Sequence, residues 1–175
     1  SQIVDILSKG QTYAVKFAVP EGFNIVKIGR KLEAEGLGNA AKFEEAARNY
    51  TPYPYMETNN PAVIFKAEGF VYPTTYQIDP DLSEKEILAI MVQTFNAEMN
   101  KEKIPELARQ KEISLRDLIN LASMVELEAV FEEEQPRIAG VFLKRLRIFM
   151  PIQSDTTIQY LLGAQKEEVT IADTK

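Results

Sequence analysis

The sequence predicts an α+β protein: a small strand-helix-helix module over residues 1–64, followed by a mostly helical region over residues 65–175. Three observations carry this. Thr12 to Val19 alternates bulky side chains with small or polar ones and closes at Pro20-Glu21-Gly22, the pattern of a strand ended by a turn. From Asn24 the apolar positions Ile25, Ile28 and Leu32 recur at three- and four-residue spacing, as on a helix. Beyond residue 80, capped amphipathic segments follow one another and strand patterns are scarce.

Taken in order, Gly36 and Gly38 punctuate the first helix, and a second runs through Phe43, Ala46 and Ala47. The loop TPYPYMETNNP follows, and Ala62 to Phe65 is expected to return as the partner strand. Val19-Pro20-Glu21-Gly22-Phe23, with Ile28, Leu32 and Gly36 behind it, resembles the small glycan-binding LysM fold. Ser83 and Glu86 form a capping box, with Leu82 and Ile87 placed as a hydrophobic staple, so a helix is expected over about 83–100. A shorter helix is expected from Ile104 to Gln110, and Ser114 with Asp117 opens another over 114–129. Pro136 suits the first turn of the next, which carries Ile138, Val141, Phe142 and Leu146. A last helix should run from Asp155 or Thr156 to Leu162 and stop at Gly163.

Composition narrows the chemistry. The 175 residues are 45% apolar, enough to bury a sizeable core. The net charge of −6 disfavours nucleic acid as a partner, because binding a phosphate backbone calls for the opposite sign. With no cysteine and no histidine, thiolate nucleophiles, imidazole bases, Cys/His zinc cages and Ser-His-Asp triads are removed together. Carboxylate, lysine, tyrosine and water remain for proton transfer; no cofactor and no metal is expected. No window approaches the roughly 18 consecutive apolar residues of a spanning helix.

A helical wheel singles out one carboxylate. With Ala122 at zero and roughly 100° per residue, Leu115, Leu118, Ile119, Val125 and Ala129 fall within about 60°, Glu126 near +40° and Glu128 near −120°. Glu126 is therefore expected inside an apolar arc, where lost hydration would keep its proton bound and fit it for general acid work. On the wheel alone a second reading stands beside this one. In it Glu126 is structural, paired with Arg137, Arg145 or Arg147 of the next helix, or set at its own helix's exposed end.

Three separated blocks then carry a resemblance: AEGFVYPTTY at 67–76, LASMVELEA at 121–129 and QPRIAGVFLKRLRIFMPIQSDTTIQYLLG at 135–163. Together they resemble the YceG-like endolytic murein transglycosylase family. The resemblance implies a lyase that cuts the β-1,4 bond between N-acetylmuramic acid and N-acetylglucosamine within peptidoglycan strands, leaving 1,6-anhydromuramyl ends. It implies a LysM-like module at 1–64 and a catalytic domain at 65–175 that continues past Lys175. It further implies peptidoglycan glycan strands as the partner, with cell-wall synthases as possible companions. The expected location is the cell envelope, on the extracytoplasmic face of the bacterial plasma membrane. There the full-length protein would be anchored by an N-terminal helix, with no membrane contact required of this segment.

By the same resemblance Glu126 is the catalytic acid, and Gln153, Ser154, Asp155, Glu68, Tyr72 and Tyr76 are substrate-binding. Arg145 would pair with Glu128. Ser154 and Asp155 also read as N-caps, and the two tyrosines as core. The chain departs from the family pattern at Leu127 (Lys), Lys144 (Asn), Phe149 (Gly) and Thr156 (Pro). Two rival functions are a non-catalytic peptidoglycan-binding module and a hydrolase in which Asp155 or Glu128 activates water.

Overall fold

The turn at Pro20 to Gly22 needs a left-handed residue, and Gly22 supplies it at φ +70°. Before the turn lies β1 (Val15–Ala18). After it, Asn24 accepts from the Lys27 N–H at 2.9 Å and opens α1 (Ile25–Ala34). Asn39 does the same for Lys42 at 3.1 Å and opens α2 (Ala40–Asn49). The computed structural model describes residues 13–154, 157, 158 and 160. Within these the chain continues through a 3₁₀ turn (Pro54–Met56), β2 (Thr75–Ile78), α3 (Glu84–Lys101), α4 (Ile104–Gln110), α5 (Leu115–Glu128), a second 3₁₀ turn (Glu132–Glu134) and α6 (Gln135–Arg147). The architecture is α+β, mostly helical, with one two-stranded sheet among the described residues.

The chain divides into two compact units, residues 1–107 and 108–175. In the first, β1 pairs antiparallel with β2, Val15 opposite Ile78 and Phe17 opposite Tyr76. The strand expected over Ala62 to Phe65 does not form. Those residues make a turn instead, and the N–H groups of Lys66 and Ala67 donate to the carbonyls of Arg48 and Ala47. These carbonyls belong to the last turn of α2, which has no intrahelical donors left for them, so the segment serves as a helix terminator. The boundary expected at 64/65 accordingly falls inside the first unit. Residues 65–101 complete it by supplying β2 and α3.

The core of this unit is formed by Phe17, Ile28, Leu32, Phe43, Ile78 and Met91, all within 1% of full burial. Gly29 lets α1 and α2 approach, since a Cβ there would stand 3.2 Å from the Ala40 carbonyl oxygen. The capping box at α3 forms as expected: the Ser83 N–H donates to Glu86 Oε2 at 2.8 Å and the Glu86 N–H donates to Ser83 Oγ at 3.4 Å. Glu84 beside it accepts the Asn39 N–H at 2.9 Å, tying α3 to the start of α2. No helix of the described residues is long and apolar enough to cross a membrane.

The second unit is built on α5 and α6, joined by the exposed acidic turn at 132–134. Leu121 and Val125 pack on Phe142, with Met124, Ile138, Ala139, Leu143 and Ile152 around them. Pro136 lies in the first turn of α6, as expected. Of the helix expected over 155–162, Thr157, Ile158 and Tyr160 are helical; Asp155, Thr156, Leu161 and Leu162 lie outside the described residues, as does its expected stop at Gly163.

Candidate active site

Ser114 caps α5 by accepting the Asp117 N–H at 3.1 Å. The helix stops at Glu128 because Ala129 turns to extended backbone, ψ 126°, while its N–H still reaches the Val125 carbonyl at 2.9 Å. Glu126 and Glu128 therefore both stand in the last turn, about 200° apart around the axis. Glu126 is exposed, which corrects the apolar-arc expectation. The arc of α5 that α6 covers is centred on Leu121 and Val125, and Ala122, taken as the middle of the apolar face, is itself exposed.

The chain comes back beside α5 through a helix stop at the end of α6. The Phe149 N–H donates to the Leu146 carbonyl at 3.1 Å and the Met150 N–H to the Arg145 carbonyl at 2.9 Å, with Phe149 left-handed at φ 55°. This is a Schellman motif with phenylalanine where glycine is favoured. Ile152 then returns to the apolar cluster, and the Arg145 guanidinium donates to its carbonyl. Ser154, 4% exposed, is the one buried polar residue among those described, and its Oγ donates to Glu128 Oε2 at 2.9 Å. Between the two anchors Gln153 is exposed and left-handed at φ 54°.

The return segment therefore meets α5 through the packing of Ile152 and the hydrogen bond of Ser154. The 152–154 segment meets α5 by way of Glu128, and Arg145 holds a backbone carbonyl; no ion pair joins Arg145 to Glu128 among the described residues. Asp155 lies outside those residues. The role of Glu128 as an anchor went unforeseen. Its one signal was placement two residues past Glu126, which puts it on the side of the helix facing the return segment.

Glu68, Tyr72 and Tyr76 belong to the first unit. Both carboxylate oxygens of Glu68 accept from the Ile25 N–H at 3.2 Å, so the side chain caps α1 where the helix dipole favours negative charge. Tyr76 is 4% exposed and its hydroxyl donates to the Tyr72 carbonyl, which places its ring in the core rather than on a sugar. Tyr72 is half-buried. No group of three or more potential metal-ligating side chains gathers among the described residues.

The chain is of the α+β class, with an exposed Glu at the end of α5 and a Gln-Ser segment pinned beside that helix. The chain belongs to the YceG-like family, whose model matches residues 1–175. A relative from Bacillus subtilis (strain 168), an endolytic murein transglycosylase, is 30% identical over 98% of this chain and 50% of that protein. A protein of the same description from Streptococcus pneumoniae serotype 2 (strain D39) is 31% identical over 62% of this chain and 19% of its own length. The crystal structure of a YceG-like protein from Listeria monocytogenes superposes with a TM-score of 0.80 at 26% identity, covering 99% of this chain and 61% of that one. The chain spans about half the length of the Bacillus relative.

Proposed function

We propose that this chain is part of an endolytic peptidoglycan lytic transglycosylase, with Glu126 as its single acid and base. The observation that carries the reading is the pairing of family membership with the two carboxylates of the last α5 turn. Both stand exposed in that turn, and Ser154 donates to Glu128. An acid that must reach a polymer needs exposure, and a glycan lying over it would remove water and favour its protonated form.

In the proposed reaction the Glu126 carboxyl gives its proton to the bridging oxygen between N-acetylmuramic acid and N-acetylglucosamine as the muramyl C1–O bond breaks. The resulting carboxylate takes the proton from the muramyl C6 hydroxyl as O6 bonds to C1. One bond breaks, one forms, and the acid is regenerated, so neither water nor a second carboxylate is consumed. Gln153, with Asp155, is assigned to the sugar-holding wall, and Ser154, buried against Glu128, to its support. The strand-helix-helix stretch that opens the first unit is assigned to glycan binding in the manner of a LysM-like module. The setting is the cell envelope, on the outer face of the plasma membrane, with the full-length protein anchored there and working beside cell-wall synthases.

The product distinguishes this from its rivals. Mass spectrometry of glycan strands digested by the full-length protein should show 1,6-anhydromuramyl ends. Ordinary reducing ends would mean a hydrolase, and unchanged strands a non-catalytic binding module.

A further inference from the structure

Gln153 is the only residue between two anchors that come from different helices. On one side Arg145 of α6 holds the Ile152 carbonyl; on the other Glu128 of α5 holds the Ser154 hydroxyl at 2.9 Å. Ile152 is also packed on the Leu121, Val125 and Phe142 cluster, and Ser154 is 4% exposed, so the positions flanking Gln153 are fixed by both packing and polar contact. Gln153 itself is held at φ 54°, a conformation that strains an L residue and persists only where the surroundings enforce it. The exposed member of the segment is therefore the strained one.

We infer that Glu128 and Arg145 are positioning residues that fix the Gln153 amide relative to Glu126. Glu128 ties the segment to the turn that carries Glu126, since it stands on that turn and touches the residue next to Gln153. The Gln153 amide offers both a donor and an acceptor, which suits the N-acetyl and hydroxyl groups of an amino sugar. Glu128 needs no proton transfer for this role; it needs only an oxygen that accepts from Ser154. The inference rests on the glycan reading above for its ligand.

The test uses the full-length protein. Affinity for uncrosslinked glycan strands is measured in a Glu126→Gln background, so that the result does not depend on cleavage, and amide hydrogen exchange is followed over residues 149–154. Glu128→Ala and Ser154→Ala should each weaken binding about tenfold, the scale of one lost charge-assisted hydrogen bond, and should speed exchange in that segment. The double variant should be no worse than either single one. Glu128→Gln, whose amide oxygen still accepts from Ser154, should recover most of the loss. Unchanged binding and exchange in both alanine variants would overturn the inference, as would losses that multiply in the double variant or a Glu128→Gln as damaging as Glu128→Ala. If binding follows this pattern while unmutated protein leaves no anhydro ends, the cleavage reading falls and the positioning role stands.

Discussion

Phe17 lies opposite Tyr76 across the two-stranded sheet, both rings are buried, and the Tyr76 hydroxyl donates to the Tyr72 carbonyl. Burial, and secondarily the neighbouring Tyr72, pushes the Tyr76 phenol well above its ordinary value. Tyr55, whose hydroxyl donates to Asn96 Oδ1 at 3.0 Å, is pushed up to about 12 by burial and by Tyr53. Both groups hold their protons more tightly folded than unfolded. Their contribution to stability is therefore complete below the unfolded phenol value near pH 10 and is lost as pH rises through the folded values. Urea midpoints should fall steeply across pH 10–12, and Tyr55→Phe and Tyr76→Phe should each flatten that fall; an unchanged slope in both would contradict the assignment.

At the start of α3 the sign reverses. Glu86 is held below the ordinary carboxylate value by the Ser83 hydroxyl and N–H, and Glu84 chiefly by the backbone N–H of its own residue. Their stabilisation is present above the unfolded value and lost as pH falls through the folded ones. Ser83→Ala should weaken the first unit at pH 7 and reduce its sensitivity to acid, read as the change in urea midpoint between pH 7 and pH 3.

Replacing Glu68 with Ala removes both acceptors of the Ile25 N–H. A loss of about 1 kcal/mol in unfolding free energy is expected, the scale of a helix cap, with glycan turnover per folded molecule kept. A collapse of turnover without loss of stability would return Glu68 to the substrate site.

Phe149 is 96% exposed at a left-handed position, so its ring contributes little burial to offset backbone strain. Phe149→Gly should raise the unfolding free energy of the second unit by about 0.5–1 kcal/mol, the relief of strain less the greater entropy of an unfolded glycine. Chemical denaturation of the two proteins side by side measures it.

Glu126→Gln keeps shape and cannot supply a proton. Turnover of glycan strands should fall by roughly 10²–10⁴-fold with binding retained. Glu128→Gln should cost far less, and equal losses in the two variants would argue against a single dual-role acid.

Local chemistry was legible in the sequence wherever the cause was local. The caps at Ser83 and Ser114 each lie within three residues of their partners, and each helix begins where its cap predicts. The sheet was harder, because β2 is only four residues long and lies 60 positions from β1, while the apolar run at 62–65 offered a nearer strand pattern. Nothing in that run announces that its neighbours Lys66 and Ala67 will satisfy the last carbonyls of α2. The misplaced Glu126 has a similar origin. The apolar arc of α5 is wider than the strip α6 covers, and only the packing partner decides which edge is buried. The Glu128–Ser154 contact spans 26 positions, beyond the reach of any periodicity.

The pairing of β1 with β2 also sets a schedule for synthesis. Val15–Ala18 has no other partner in this sheet, so the first strand waits until residue 78 is made, 60 positions after its own last residue. At roughly 5–20 residues per second that is about 3–12 s of translation during which an unpaired strand edge is available to neighbouring nascent chains. Four residues, with Lys16 exposed among them, offer little to such a neighbour. The helices α1 and α2 can form meanwhile, and the sheet closes only once β2 has been made, with α3 still to follow.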